Sequence, residues 1–192
     1  MRFTLLLLSF FLICAMLKGQ NIETKWYSEH KAKGVNIQNS FPKGGPYPGE
    51  TTGNYNHSYL VFFTRVVNES EKSLELSVNF PADSFAIPNS PDTYMKIFLP
   101  PDTMALEKKV LLSYGFGELE SLDQPSSFKR CVNPKEDYLF YAVAFFYQTK
   151  AEAWEQERGG NRAEFVLKGQ ELFFKMSPQI DLLPCGNIIF DK

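Results

Sequence analysis

Two long apolar and aromatic runs constrain this chain more than any other feature. They are YLVFFTRVV, residues 59–67, and YLFYAVAFFY, residues 138–147. Both are rich in β-branched and aromatic residues and are apolar on both faces at their centres. That pattern is typical of a strand that lies between two layers. The sequence therefore predicts a layered β-structure with these two runs as central strands.

Alternation elsewhere in the chain favours the same class. In residues 74–80 apolar side chains alternate with polar ones, so one set shares one face of a strand. Residues 165–176 predict either a hairpin with a tight Gly169-Gln170 turn or one strand with a glycine bulge. Shorter strands are predicted over residues 22–27, 35–39, 94–99 and 187–190.

Proline and glycine interrupt the runs. Residues 41–54, FPKGGPYPGETTGN, predict a long irregular loop. Short strands with frequent turns favour an all-β fold, an antiparallel β-sandwich of immunoglobulin-like type. One or two short helices are expected in loops, over residues 151–158 and over residues 103–112, where a strand is the open alternative.

Residues 1–19 have the pattern of a secretory signal peptide. Arg2 gives a positive start, residues 5–17 are almost wholly apolar, and Gly19 is a small residue at the exit. The run is shorter than the roughly 18–20 residues of a membrane-spanning helix, so a retained anchor is the weaker alternative. Lipidation at Cys14 is disfavoured because the apolar run continues beyond it.

The remaining chain has the size of one domain. We expect residues 20–192 to form a single exported β-sandwich domain, periplasmic or secreted. Loss of Arg2 and Lys18 leaves 18 basic side chains against 22 acidic ones, a net charge of −4. Nucleic acid and anionic lipid need clustered positive charge, so we expect no nucleic-acid partner, and no transmembrane segment after cleavage.

Cys131 and Cys185 remain after the signal is removed. An oxidising compartment favours pairing them, and closing so long a loop contributes about 4 kcal/mol in the chain-entropy model. The sequence predicts this disulfide, with two separate buried thiols as the alternative. No metal or cofactor is expected, because His30 and His57 stand alone and the chain has no C-x-x-C pair.

Signatures of common enzymes are missing from the sequence. Ser113 lacks the preceding glycine of a G-x-S-x-G nucleophile elbow. No G-x-x-x-x-G-K-[ST] motif is present, and the prolines of residues 41–54 remove backbone N–H groups that would hold a phosphate. These observations argue against nucleophilic hydrolysis and nucleotide binding.

A charged patch follows the second apolar run. It contains the candidate ligand-binding residues Trp154, Glu155, Glu157, Arg158 and Arg162, with further carboxylates at Glu152 and Glu164. Arg162 precedes a predicted strand, and its planar guanidinium is suited to hold a carboxylate through two hydrogen bonds, from a ligand or from Glu157. The other interpretations of the patch are a solvated loop and a catalytic site.

Aromatic side chains offer a second means of binding. Trp26 and Tyr27 lie next to each other, and Trp154 lies in the charged patch. Exposed rings of this kind hold sugars, whereas buried ones close the end of a sandwich. The expected role is non-enzymatic binding of a protein partner, an envelope component or a glycan. The alternative is a hydrolase of cell-wall or polysaccharide substrates that uses two carboxyl groups of residues 152–164.

Four segments carry a resemblance. They are FLPPDTM, QERGGNRAE, LKGQELFF and LPCG, spread over most of the chain after residue 19. They resemble segments of small exported bacterial proteins that have no assigned activity. The resemblance implies an exported location and carries over no functional residues.

Overall fold

The computed structural model describes residues 26–47, 56–87, 90–100, 124–148, 162–177 and 180–191. Every regular element within these ranges is a β-strand, which confirms the all-β prediction. The strands are β1 (Trp26–Ala32), β2 (Val35–Ser40), β3 (Lys43–Pro46), β4 (Asn56–Asn68), β5 (Leu74–Phe80), β6 (Phe85–Ile87), β7 (Ser90–Phe98), β8 (Ser126–Val132), β9 (Asp137–Gln148), β10 (Arg162–Lys168), β11 (Glu171–Ser177) and β12 (Ile180–Phe190).

The strands form two antiparallel sheets. Sheet A has seven strands in the order β1-β2-β4-β9-β7-β6, with β3 also paired to β4. Sheet B has five strands in the order β10-β11-β12-β5-β8. Both sheets contribute side chains to one buried cluster, so they pack face to face as a sandwich.

Phenylalanines dominate the core between the sheets. The ring of Phe165 on β10 lies 5.2 Å from Phe140 and 6.0 Å from Phe62, both of sheet A. It also lies 5.9 Å from Phe174 and 6.3 Å from Phe80, both of sheet B. Burial of each such ring stabilises the fold by about 1.5–3 kcal/mol, so these contacts hold the sheets together.

The two longest strands are central, as the apolar runs predict. β4 pairs with β9 along its length, from Asn56 opposite Gln148 to Val67 opposite Asp137. Their inner faces belong to the core between the sheets. Their outer faces carry a second buried cluster. Its members are Tyr59, Val61, Phe63, Phe98, Tyr141, Val143 and Phe145.

Part of the predicted irregular loop is a strand. Residues 43–46 pair with β4 next to the stretch that pairs with β2. Pro42 separates the two strands because it has no N–H to donate. At the break, the Ser40 hydroxyl accepts a hydrogen bond of 2.9 Å from the Phe63 N–H. A side chain therefore replaces the missing backbone partner.

Turn residues determine two hairpins, β1–β2 and β10–β11. Lys33 and Gly34 join β1 to β2 with φ values of 50° and 78°, as a primed two-residue turn requires. Gly169 begins the turn between β10 and β11 with a φ of 68°. Of the two alternatives for residues 165–176, the hairpin is confirmed.

The predicted disulfide is wrong. Cys131 on β8 is an exposed free thiol, and Cys185 on β12 is a buried one. β8 and β12 flank β5 on opposite sides, with Cys131 opposite Glu75 and Gly186 opposite Val78. Two strand spacings amount to about 10 Å, beyond the roughly 7 Å between Cα atoms that a disulfide can bridge.

The predicted helices at 103–112 and 151–158 lie outside the described residues. Inside them, no helix is long and apolar enough to cross a membrane.

Candidate functional site

The structure describes one of the five candidate ligand-binding residues. Trp154, Glu155, Glu157 and Arg158 lie outside the described residues. Arg162 is the first residue of β10, is exposed, and stands opposite Ser177 of β11. Arg162 is therefore the part of the predicted binding patch whose surroundings the structure describes.

Glu164 is the polar centre of the surroundings of Arg162. The two residues are separated by one position on β10, so strand alternation places their side chains on the same face. Only 8 % of Glu164 is exposed. Its Oε2 accepts hydrogen bonds from His30 Nε2 at 3.0 Å and from the Tyr27 hydroxyl at 3.4 Å. Its Oε1 lies 3.5 Å from Lys175 Nζ.

Asn39 joins β2 of sheet A to β10 of sheet B next to Glu164. It is fully buried on β2 of sheet A. Its side chain donates to the Phe165 carbonyl at 3.2 Å and accepts from the Phe165 N–H at 2.9 Å. The amide thus gives the edge strand β10 the pair of hydrogen bonds that a neighbouring strand would supply. β1, the partner of β2, then lies beside Glu164.

A bulge in β1 turns Tyr27 toward Glu164. The register shifts between Trp26, which is opposite Ser40, and Ser28, which is opposite Asn39. In a regular strand, residues 27 and 30 point to opposite faces. The extra residue at the bulge re-aims its side chain. For this reason both Tyr27 and His30 contact one carboxylate.

The carboxyl group of Glu164 is held ionised. Burial by itself raises its pKa, but hydrogen bonds from His30 and Ser28 and the charges of His30 and Lys175 outweigh burial. The pKa of Glu164 therefore lies below its ordinary value. The site presents a fixed negative charge whose oxygens are already engaged, a feature of positioning rather than of proton donation.

An aromatic pair, the exposed Phe41 and the partly buried Tyr27, lies beside the carboxylate. Phe41 is 52 % exposed, and its ring centroid lies 4.7 Å from that of Tyr27 at an interplanar angle of 32°. Phe41 projects where β2 ends before Pro42. Burial and the charge of Glu164 raise the pKa of the Tyr27 hydroxyl, while the charge of Arg162 opposes this rise.

We name this assembly the β1–β10 corner. It consists of Tyr27, His30, Phe41, Arg162, Glu164 and Lys175. It combines an exposed ring, a guanidinium and an ionised carboxylate within one small area. Such a combination can stack against a flat apolar surface and exchange hydrogen bonds with a polar one.

The other aromatic-rich face serves packing. His57 lies on it with its ring 5.5 Å from that of Phe145, and burial lowers the pKa of His57. The residues of the second cluster on this face are nearly inaccessible to solvent. The largely exposed aromatic side chains of the described residues are Phe41 of the corner and Tyr94 of β7, and Phe41 lies against the ring of Tyr27, whose hydroxyl bonds the ionised Glu164.

Sequence reasoning found Arg162 and noted Glu164, but it treated His30 as an isolated histidine. The partner of His30 is 134 positions away in the chain. The run of alternating residues in β1 gives no sign of the bulge that brings Tyr27 to the same carboxylate. In the described ranges, no group of three or more His, Cys, Asp or Glu side chains is placed to hold a metal ion.

No family model, curated protein or solved structure matches this chain.

Proposed function

We propose that the protein is an exported, non-enzymatic binding domain that holds a saccharide at the β1–β10 corner. Among the partners expected from the sequence, which also include a protein and another envelope component, a glycan fits the corner best. The observation that carries the proposal is the pairing of the exposed Phe41 ring with the partly buried Tyr27 ring, 4.7 Å away, directly beside the ionised Glu164.

Sugar rings have an apolar face of C–H groups and a rim of hydroxyls. The exposed ring of Phe41 suits the face. The charged groups of Arg162 and Lys175 suit the rim, because hydrogen bonds to charged groups are stronger than neutral ones. The corner offers both surfaces from elements of two sheets that Asn39 fixes in place.

The ionisation of Glu164 argues against this residue as the proton donor of a glycosidase. A glycosidase needs one carboxyl group that keeps its proton to protonate the leaving oxygen, so its pKa must be raised. The pKa of Glu164 is instead lowered, so this carboxyl group does not keep its proton as a general acid must. Hydrolysis through residues 152–164 is the competing function that the experiment below must exclude.

The exported location, the single domain of residues 20–192 and the immunoglobulin-like topology stay predictions. The signal-peptide pattern of residues 1–19 supports the exported location. The two antiparallel sheets support a sandwich, although sheet A is larger than either sheet of a constant-type immunoglobulin domain.

The proposal is tested with three soluble trisaccharides, chitotriose, cellotriose and trigalacturonate, by titration calorimetry on the purified protein. We expect millimolar or tighter binding of at least one trisaccharide, and its recovery intact after prolonged incubation. Phe41→Ala should weaken that binding about tenfold, which corresponds to about 1.4 kcal/mol.

The matched control is Tyr94→Ala. Tyr94 on β7 is 41 % exposed and lies outside the corner, so its removal should leave binding unchanged. Cleavage of a trisaccharide overturns the proposal in favour of the hydrolase. Absence of binding to all three, or equal loss in both variants, also overturns it.

A further inference from the structure

We infer that the β1–β10 corner selects saccharides that carry a carboxylate, and that Arg162 recognises this group. The inference rests on the proposed function and names the class of its ligand. It follows from the charges of the corner, from the position of Arg162 and from the chemistry of the guanidinium group.

The first step is the balance of charge. Glu164 already has Lys175 at 3.5 Å and His30 at 3.0 Å. Among the described residues, no hydrogen bond or ion pair engages the side chain of Arg162. The corner therefore has one cation more than its own carboxylate requires. A ligand with a negative group would complete it.

The second step is position. Arg162 lies two residues before Glu164 on the same strand face, a distance of about 7 Å along β10. The Tyr27 hydroxyl hydrogen-bonds Glu164, and Phe41 stacks on Tyr27. A sugar ring placed on this aromatic pair would thus have Arg162 at one end. Ser177, opposite Arg162, adds a hydroxyl beside it.

The third step is the chemistry of recognition. Guanidinium presents two parallel N–H donors that match the two oxygens of a carboxylate, whereas a lysine ammonium offers only a point charge. Because Arg162 is exposed, water and salt screen its attraction for a carboxylate. We therefore expect only a modest gain in affinity. The expected preference for an acid over its neutral ester is about tenfold.

The test compares trigalacturonate with its methyl ester by titration calorimetry at low salt. The natural protein should bind the acid about tenfold more tightly than the ester. Arg162→Ala should remove this preference by weakening binding of the acid about tenfold more than binding of the ester, and Arg162→Lys should restore less than half of the preference on a logarithmic scale. The melting temperature of each variant should stay unchanged, because the Arg162 side chain is exposed.

Arg130→Ala is the matched control. Arg130 is an exposed arginine on β8 that lies over the Tyr138 ring, away from the corner, so the variant loses the same charge elsewhere. It should keep the preference for the acid. Equal loss in the Arg130 and Arg162 variants would show that only overall charge matters and would overturn the inference.

The remaining outcomes separate this inference from the proposed function. Equal binding of acid and ester by the natural protein, with loss of both in Phe41→Ala, overturns acid selection and leaves saccharide binding intact. Binding of neither compound overturns both.

Discussion

Asn39 and Phe165 are joined by two hydrogen bonds between the side chain of one and the backbone of the other. Asn39 Nδ2 donates to the Phe165 carbonyl at 3.2 Å, and the Phe165 N–H donates to Asn39 Oδ1 at 2.9 Å. The same Oδ1 accepts a bond of 3.1 Å from the Thr64 hydroxyl. One buried side chain therefore connects sheet A to the edge strand of sheet B and sets the position of the corner.

Replacement of Asn39 by alanine should destabilise the protein by about 3 kcal/mol or more, because the N–H and carbonyl of Phe165 and the hydroxyl of Thr64 each lose a partner at a cost of about 1–3 kcal/mol. Chemical denaturation measures this change in the free energy of unfolding. Gln38→Ala is the control, since the Gln38 side chain bonds to Glu29 on the exposed surface. Equal destabilisation by both substitutions would contradict the role given to Asn39.

The ion pairs of Glu164 should make stability depend on pH in the acid range. The pKa of Glu164 is lowered in the folded protein, so its contribution is complete above the unfolded value of 4.5 and is lost as pH falls through the lowered folded value. Between pH 6 and about pH 3, the free energy of unfolding should fall more steeply in the natural protein than in Glu164→Gln.

The groups that face Glu164 are Tyr27, Ser28 and His30 on β1 and Lys175 on β11, with Arg162 nearby on β10. In Glu164→Gln an amide oxygen can still accept a hydrogen bond, but the negative charge that these groups share is lost. Denaturation curves at several pH values provide the comparison, and parallel pH profiles for the two proteins would contradict the assignment.

Adjacent glycines in β3 should respond differently to alanine. A Cβ at Gly44 would lie 1.8 Å from the Tyr59 carbonyl oxygen, so the backbone of β3 must move away from β4. A Cβ at Gly45 would meet nothing within 4 Å. We expect Gly44→Ala to lower the melting temperature by several degrees, consistent with a cost of about 1–3 kcal/mol for overpacking. Gly45→Ala should change it little, and a reversed order would contradict the pairing of β3 with β4.

The two cysteines should differ in reactivity toward Ellman's reagent. Cys131 is exposed on β8, so its thiol should react quickly in the native protein. Cys185 is buried, and burial raises the pKa of its thiol, which suppresses the reactive thiolate. In protein that lacks residues 1–19, and with them Cys14, one thiol should therefore react before denaturation and a second only afterwards. Absence of any free thiol in the untreated protein would contradict this expectation and support a disulfide between the two cysteines.

The central strands could be predicted from sequence because burial on both faces leaves a local signature. The runs at 59–67 and 138–147 are apolar throughout and became β4 and β9. β8 leaves no such signature, since Ser127, Lys129 and Cys131 are exposed at the edge of sheet B. β3 could not be predicted from sequence, because its two glycines and Pro46 are typical of a loop.

The site could be predicted only in part, because its contacts are distant in sequence. The patch around Arg162 was recognised from its charges, but the partners of Glu164 come from β1 and β11. The bulge at Tyr27 and the bonds of Asn39 depend on how the sheets pack, which no local pattern records. The disulfide between Cys131 and Cys185 was wrongly predicted for the same reason, because the sequence does not show that β5 lies between their strands.

Hydroxyl-radical footprinting with and without trigalacturonate shows whether the ligand binds at the β1–β10 corner. Phe41 and Tyr94 are exposed aromatic side chains of similar accessibility, 52 % and 41 %, and serve as probe and internal control. Binding at the corner predicts that the saccharide protects Phe41 from oxidation and leaves the oxidation of Tyr94 unchanged. Protection of Tyr94 with no protection of Phe41, or equal protection of both, would contradict it.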